Sequence, residues 1–228
     1  MIVALDGPAG SGKTSTAKAV AAALAFTYLD TGAMYRAITL AVLDKNQEIS
    51  EALVGLVLDE IVLDIKYDAG SMRVYLNEQE VTDLLRSEAV NNHVSLVSSY
   101  GDVRHKMVNQ QRAIANRIVA RGGGVVIDGR DIGTVVFPEA DVKVFMSASP
   151  EVRARRRLDE LEEQGKAADY SEILENIKFR DKFDSSRAIA PLRNAEDALE
   201  LDTSVLSFHD QVSRVVDIVK ERQVRSDV

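Results

Sequence analysis

The first side chains that could do chemistry lie in a glycine-rich segment ending in a lysine and a threonine. Its residues match the pattern G-x-x-x-x-G-K-[ST] at every fixed position, and they are Gly7, Pro8, Ala9, Gly10, Ser11, Gly12, Lys13 and Thr14. Glycines let backbone N–H groups close around an anion, and a following helix directs its positive dipole end at it. In such a loop the lysine contacts the β- and γ-phosphates of a nucleotide, and the Thr14 hydroxyl can bind Mg²⁺. The segment therefore predicts a binding site for the phosphates of a nucleotide.

The elements around this loop have the order that a phosphate-binding loop requires. A helical pattern follows it, carried by Ala17, Val20, Ala21 and Leu24. Apolar runs that predict buried strands occur at 2–5, 26–29, 125–127, 142–146 and 198–201. Because helical segments separate these runs, we expect a three-layer α/β/α fold with a five-stranded parallel sheet. Ligands bind at the carboxyl edge of such a sheet, and four aspartates follow strands there, namely Asp6, Asp30, Asp128 and Asp202.

One block of the chain departs from this alternation. Residues 61–66 and 72–76 read as two strands joined by a turn that contains Asp68 and Gly70. We interpret the block from about 60 to 85 as an antiparallel lobe inserted into the core. Helices are predicted at 32–45, at 101–121, from Ser149 and Pro150 onward, at 171–187, and after Ser207.

Composition narrows the class of protein. The 228 residues carry a net charge of −8, which disfavours a protein that wraps nucleic acid and makes a local arginine cluster informative. The chain has no cysteine, and its three histidines are scattered, so no thiolate metal site is expected. No apolar run is long enough to span a membrane. Since the first strand begins at residue 2, we expect no leader peptide and a cytoplasmic protein. The even spread of charge favours a monomer.

Arginines stand where this fold would place a ligand. Arg130 follows the strand at 125–127, and Arg36 lies shortly after the strand end near residue 30. Arg180, Asp184 and Arg187 share one face of a predicted helix. A lone arginine is usually a solvated charge, but three clusters that converge on one sheet edge favour an anion site.

The chemistry of the acceptor separates the alternatives. Sugar and shikimate kinases phosphorylate a hydroxyl, which favours a carboxylate base, whereas a nucleoside monophosphate is already ionised and needs its charge screened. Many arginines, with no histidine placed as a base, favour the phosphate acceptor. A regulatory nucleotide switch would need a guanine-reading N-K-x-D motif, which is absent. A non-enzymatic protein would leave the arginines and the loop lysine unexplained.

At this point the chain resembles a known family. The segments LDTGAMYR (29–36), VYLNEQEVTDLLRSEAV (74–90), DGRDIGTVVFPEADVKVF (128–145), RARRR (153–157) and SRAIAPL (186–192), together with the glycine-rich loop, resemble bacterial cytidylate kinases. The resemblance covers nearly the whole chain. It implies a P-loop nucleoside monophosphate kinase that transfers a phosphoryl group from ATP, with Mg²⁺, to CMP or dCMP by direct in-line attack.

The resemblance also implies roles for individual residues. The CMP phosphate would be held by Arg36, Arg130 and Arg187. The cytosine edge would be read by Ser95, Arg104 and Asp131. The sugar would be contacted by Tyr35, Arg180 and Asp184, and Thr31 would offer a hydroxyl to phosphate or base. The catalytic groups would be Lys13, Arg130, Arg153 and Arg157.

The same resemblance divides the chain. A core would comprise residues 1–59, 96–149 and 186–228. The monophosphate-binding insert would comprise residues 60–95, and a short helical lid would comprise residues 150–185.

Overall fold

The computed structural model describes residues 1–68 and 70–226, and it is built around two β-sheets. The strands are β1 (Ile2–Asp6), β2 (Thr27–Asp30), β3 (Leu63–Asp68), β4 (Ser71–Leu76), β5 (Gln79–Glu80), β6 (Val125–Asp128), β7 (Val142–Ser147) and β8 (Leu199–Asp202). The helices are α1 (Lys13–Leu24), α2 (Thr31–Leu43), α3 (Glu51–Glu60), α4 (Glu88–Val97), α5 (Gly101–Ala120), α6 (Pro150–Glu163), α7 (Tyr170–Ser185) and α8 (Phe208–Ser226). A 3₁₀ helix (Thr82–Arg86) and a π-helical turn (Ile132–Val136) complete them.

The larger sheet has five parallel strands in the order β2-β6-β1-β7-β8. Its centre is β1, in which Leu5 lies opposite Asp128 of β6 and Val144 of β7. The predicted parallel sheet is therefore confirmed. The four aspartates are the last residues of their strands rather than the residues after them.

Two apolar cores cover the faces of this sheet. On one face α1 and α8 pack against Val3, Leu5 and Val126. On the other face α2 and α5 pack against Ala4 and Ile127. Neighbouring residues of a strand point to opposite faces, so each strand supplies both cores, as the three-layer prediction requires.

The inserted lobe is an antiparallel sheet of β3, β4 and β5. Strands β3 and β4 lie close to the two predicted positions, whereas β5 was not predicted. The pairing of Asp68 with Ser71 makes the β3–β4 turn tight. Asp68 belongs to the strand rather than the turn, Gly70 has a φ of +80°, and the residue between them lies outside the described residues. Met72 contacts the edge of the main sheet, where its sulfur accepts a hydrogen bond from the Asp30 N–H at 3.3 Å.

Most predicted helices occur with small shifts at their ends. The predicted cap at Ser149 is confirmed, and its hydroxyl accepts a hydrogen bond from the Val152 N–H at 3.2 Å. Helix α2 begins at Thr31 because the Asp30 carboxylate caps it through the Ala33 N–H at 2.9 Å.

Helices α3 and α4 were not predicted. For α3 the signal was present, because Ser50 is a cap and Leu53, Val54, Val57 and Leu58 have helical spacing. In the described part of the chain, no helix combines the length and the apolarity that crossing a membrane requires.

Candidate active site

The glycine-rich loop turns between the end of β1 and the start of α1, at the carboxyl edge of the main sheet. Gly12 has a φ of +89° immediately before the helix, and Gly7 has a φ of +144°. A Cβ atom on Gly7 would lie 2.0 Å from the Met146 carbonyl oxygen. The loop therefore needs glycine for its conformation and for its close approach to β7.

Lys13 is folded back over this loop and is only 4% exposed. Its ammonium group donates to the Pro8 carbonyl at 2.7 Å and to the Ser11 hydroxyl at 3.4 Å. Burial lowers the pKa of Lys13 well below 10.5, and the nearby charge of Arg130 lowers it further, while carboxylates led by Asp128 oppose the shift. A negatively charged phosphate at the loop would stabilise the ammonium form.

Asp128, at the end of β6, joins the loop to the neighbouring strand. The Thr14 hydroxyl donates to its Oδ2 at 2.7 Å, and the Tyr28 hydroxyl donates to its Oδ1 at 2.8 Å. Burial, followed by the charge of Asp30, raises the pKa of Asp128 to about 6. A hydroxyl beside a carboxylate is the oxygen donor set that Mg²⁺ uses in phosphate-binding loops, so these two residues fit that ion.

The turn after β6 is held in place from the centre of the sheet. The Asp6 carboxylate accepts hydrogen bonds from the Ile132 N–H at 2.9 Å and the Gly133 N–H at 2.7 Å. Desolvation raises the pKa of Asp6 to about 6, although these two bonds act in the opposite direction. Since Arg130 and Asp131 lie directly before this anchor, Asp6 fixes where both side chains start.

Asp184 of α7 forms ion pairs with two of the arginines predicted to lie in the site. Arg130 donates from Nε to its Oδ2 at 3.1 Å, and Arg187 pairs with its Oδ1. Asp184 is 3% exposed, so its charge depends on these partners. Asp184 and Arg187 therefore lie together near the end of β6, although Arg187 follows the end of α7 and is not on its predicted face.

Two other arginines at this place have no such partner. Within residues 1–68 and 70–226, the side chains of Arg36 and Arg180 make no hydrogen bond and no ion pair within 4 Å. Burial lowers the pKa of Arg36 to about 10, and the positive charge of Arg180 contributes next. Burial, followed by the charge of Arg130, also lowers the pKa of Arg180. Cations held together in this way favour the binding of an anion.

A buried ion pair lies beside the arginine cluster, which consists of Arg36, Arg130, Arg180 and Arg187. Arg104 of α5 pairs with Asp131, and both residues are 4% exposed. The Arg104 guanidinium also donates to the Ser98 carbonyl at 3.3 Å and lies 5.5 Å from the centre of the Tyr35 ring. Burial raises the pKa of Tyr35 to about 12, so its hydroxyl stays protonated. These groups form a buried polar cluster that contains both hydrogen-bond donors and an acceptor.

The lid arginines predicted from the sequence lie in different surroundings. Arg153 is 2% exposed, donates to the Ala9 carbonyl of the loop at 3.0 Å, and pairs with Asp181 of α7 through both terminal nitrogens. Arg157 is partly exposed and donates to Glu160 at 2.7 Å. Arg156 donates to both oxygens of Thr203, next to the loop. Arg153 thus ties the loop to the α6–α7 hairpin.

Comparison with known proteins gives the chain a family. Residues 3–221 match the family described as cytidylate kinase. The cytidylate kinase of Halalkalibacterium halodurans is 47% identical over 97% of this chain and 98% of its own. That of Salinibacter ruber is also 47% identical, over 99% of both chains. The chain belongs to the cytidylate kinase family. The resemblance seen in its motifs is thereby confirmed.

Solved structures show how widely the fold occurs. A protein from Eubacterium ventriosum described as uncharacterised superposes with a TM-score of 0.53 over 96% of this chain and 98% of its own, at 11% identity. A Thermus thermophilus protein superposes with a TM-score of 0.50 over 97% and 96%, at 15% identity. At such identities the likeness concerns the fold, so membership of the cytidylate kinase family rests on the sequence comparisons.

The structure brings most of the predicted site residues together and adds others. Four arginines converge from four separate elements, namely Arg36, Arg104, Arg130 and Arg180. The Thr31 hydroxyl instead donates a hydrogen bond to the Asp128 carbonyl oxygen at 2.7 Å.

Sequence reasoning missed Ser98 and the role of Asp128. The Ser98 hydroxyl accepts from Arg187 at 3.1 Å, and the Ser95 carbonyl accepts from the Ser98 hydroxyl. The role of Asp128 could have been inferred from its position, because it is a carboxylate at the end of β6, the strand that pairs with β1.

Proposed function

We propose that the chain transfers the γ-phosphoryl group of ATP to the phosphate of CMP or dCMP, giving ADP and CDP or dCDP. Membership of the cytidylate kinase family and the intact phosphate-binding loop support the reaction. The observation that supports a phosphate as the acceptor is the pair of cations without a partner, Arg36 and Arg180, beside Arg130. Arg130 lies close enough to influence the charge of Lys13, so an acceptor phosphate held there would adjoin the ATP site.

Direct in-line transfer suits these groups. The acceptor phosphate is already ionised near neutral pH, so its attack requires no general base. Its approach to the γ-phosphate requires instead that negative charge be neutralised, and the arginines supply that charge in fixed positions. The residues that bind ATP are proposed to be Gly7, Pro8, Ala9, Gly10, Ser11, Gly12, Lys13 and Thr14.

The acceptor residues follow the same logic. Arg36, Arg130 and Arg187 are proposed to hold the CMP phosphate. Ser95, Arg104 and Asp131 are proposed to read cytosine, because the buried pair of Arg104 and Asp131 offers both a donor and an acceptor to a base edge. Thr31, Tyr35, Arg180 and Asp184 are proposed to contact the nucleotide as well, the last three at its sugar.

Mg²⁺ is proposed to accompany ATP. Thr14 would hold the ion, with Asp128 accepting the hydrogen bond that orients the Thr14 hydroxyl. When bound, the ion would supply positive charge that offsets the negative charge of the ATP phosphates. Lys13 neutralises charge at the same phosphates.

Closure is proposed to assemble the site. The insert (60–95) and the lid (150–185) would move towards the core (1–59, 96–149 and 186–228) and exclude water, which would otherwise hydrolyse ATP. Arg153 and Arg157 are proposed to neutralise charge at the transferring group as the lid closes. We expect a monomer from the even spread of charge along the sequence.

An ADP-release assay with Mg²⁺ and ATP tests the proposal. CMP, dCMP, UMP, AMP, GMP and shikimate are offered separately. We expect strong turnover with CMP and dCMP. Comparable turnover with UMP would contradict the assignment of the cytosine edge, and activity with another acceptor alone would contradict the proposed reaction.

A further inference from the structure

Arg86 is a charged residue of the inserted lobe that none of the roles above uses. It ends the 3₁₀ helix, and its Nη2 lies 3.9 Å from the Asp30 Oδ2 of the core. The Arg86 side chain is 64% exposed and that of Asp30 is 17% exposed. Ion pairs of this length and exposure are weak, so Arg86 can exchange its partner at little cost.

Asp30, the partner of Arg86, is held in place at the carboxyl end of β2. The Asp30 Oδ1 accepts the Ala33 N–H at 2.9 Å and so caps α2, the helix that carries Arg36. The backbone N–H of Asp30 donates to Met72 of the lobe. The Arg86–Asp30 pair therefore spans the boundary between the lobe and the core at the rim of the arginine cluster.

Arg86 and Arg36 face the same space. Both line a cleft of about 620 Å³ between the lobe and the edge of the core, together with Asp30 and Met72. The charge of Arg86 also reaches Arg36, where it adds to those of Arg180 and Arg130 in disfavouring the guanidinium. The cluster thus contains more positive than negative charge, with a cation contributed by each wall of the cleft.

We propose that Arg86 is a further CMP-binding residue, which exchanges Asp30 for the phosphate of CMP as the lobe closes. The phosphate dianion is a stronger partner for arginine than a single exposed carboxylate at 3.9 Å. Because Arg86 lies on the lobe and the other arginines proposed to hold the phosphate, Arg36, Arg130 and Arg187, lie outside it, the exchange would couple acceptor binding to closure. The inference rests on the proposed function and assigns to it a residue of the lobe.

Calorimetric titration with CMP tests the role of Arg86. Arg86→Ala should raise the Kd of CMP about tenfold, which corresponds to about 1.4 kcal/mol, and Arg86→Lys should recover part of the loss. Inhibition by cytidine, which lacks the phosphate, and the KM of ATP should not change. The matched control is Arg73→Ala, because Arg73 is an exposed arginine of the same lobe that pairs with Glu80 at 3.3 Å.

A double-mutant cycle with Asp30→Asn tests the exchange itself. The asparagine oxygen can still cap α2, so the variant removes the charge and keeps the helix start. Asp30→Asn should tighten CMP binding, and it should do so more when Arg86 is present than in the Arg86→Ala background. An equal gain in both backgrounds would contradict the exchange.

Three possible results separate this inference from the function on which it rests. If the unmodified protein binds CMP and Arg86→Ala binds it equally well, the inference is wrong and the proposed function stands. An equal loss of cytidine and CMP affinity in Arg86→Ala would also overturn it, because the phosphate would not be the group contacted. If the unmodified protein neither binds nor phosphorylates CMP, the proposed function itself is wrong.

Discussion

Lys13 lies in a buried position beside another cation, Arg130. Its pKa is lowered first by desolvation and next by Arg130, and the carboxylates of Asp128, Asp6 and Asp184 oppose that shift. In the structure its hydrogen bonds go to oxygens of its own loop. A phosphate at the loop would add further negative charge beside Lys13, and we propose that its ammonium group neutralises charge during transfer.

Lys13→Ala should raise the activation free energy of transfer by about 2.7–4 kcal/mol, as expected for the loss of one electrostatic donor in a preorganised site. That corresponds to a fall in kcat of about 10²- to 10³-fold. Steady-state kinetics with CMP and ATP measures the loss. Lys18→Ala is the control, because Lys18 is an exposed lysine of the same helix. Near-normal turnover of Lys13→Ala would contradict its role in transfer.

Arg130→Ala should impair the use of CMP and leave ATP binding nearly intact. Hydrogen bonds to charged groups contribute about 1.5–3 kcal/mol, so we expect the KM of CMP to rise by about ten- to a hundredfold. Asp184 would keep Arg187 as a partner, which limits the structural damage. The KM values of both substrates are compared with those of Arg117→Ala, an exposed arginine of α5. Equal losses for CMP and ATP would show that the variant disturbs the fold and would refute the assignment.

Single elements serve both halves of the site. Helix α7 presents Asp184 to Arg130 and Arg187, and its Asp181 pairs with Arg153, which in turn contacts the loop at Ala9. The turn after β6 is similar, because Asp6 anchors it while Arg130 and Asp131 project from it. The position of each arginine therefore depends on an acidic residue of another element.

Asp6 should make the stability of the protein depend on pH. Its pKa rises from 3.8 to about 6 on folding, so the folded state binds the proton more tightly. The free energy of unfolding should therefore gain a contribution as the pH falls through about 6, of roughly 3 kcal/mol once the pH is below the unfolded value. Urea unfolding at about pH 7.5 and about pH 5 measures the start of this gain.

Asp6→Asn is the comparison for that measurement. It removes the titrating group, so the gain between the two pH values should be smaller than in the unmodified protein by about 1–1.5 kcal/mol. An equal gain in the variant would show that the pH dependence comes from other groups.

At the scale of the whole molecule, the strand order decides which sites are neighbours. Because β1 lies between β6 and β7, the loop after β1 adjoins the turn after β6 that carries Arg130. The α6–α7 hairpin contacts the loop through Arg153, and Arg187, just after α7, contacts Ser98 at the end of α4. The loop after β1, the α6–α7 hairpin and the end of α4 are thus linked by side-chain contacts, so a ligand that binds among them should stabilise the whole fold.

CMP should raise the thermal midpoint of unfolding. A ligand at a hundred times its Kd adds about 2.7 kcal/mol, which corresponds to about 5–10 °C for a chain of this size. Scanning fluorimetry with CMP, UMP and AMP measures the shifts. Arg130→Ala should lose most of the CMP shift and keep the shift given by ATP. A larger shift with AMP than with CMP would contradict the proposed acceptor.

The sequence by itself determined the loop, the strands and most helix starts. These features depend on neighbours in the chain: glycines at fixed spacing, apolar runs, and caps such as Ser149. Hydrogen bonds that span a few residues follow local spacing, so Gly7 to Thr14 could be identified without a structure. The motifs also sufficed to indicate the family, which the comparisons confirm.

The tertiary structure alone decided which charges meet. Arg153 and Arg157 are four apart on one helix, yet one is buried against the loop and the other pairs near the surface. Asp128 accepts from Thr14, which lies 114 residues away in the chain. Such contacts depend on the strand order and on desolvation, which change the charge state and the partners of a side chain. Local spacing contains neither quantity, so these contacts could not be predicted from the sequence.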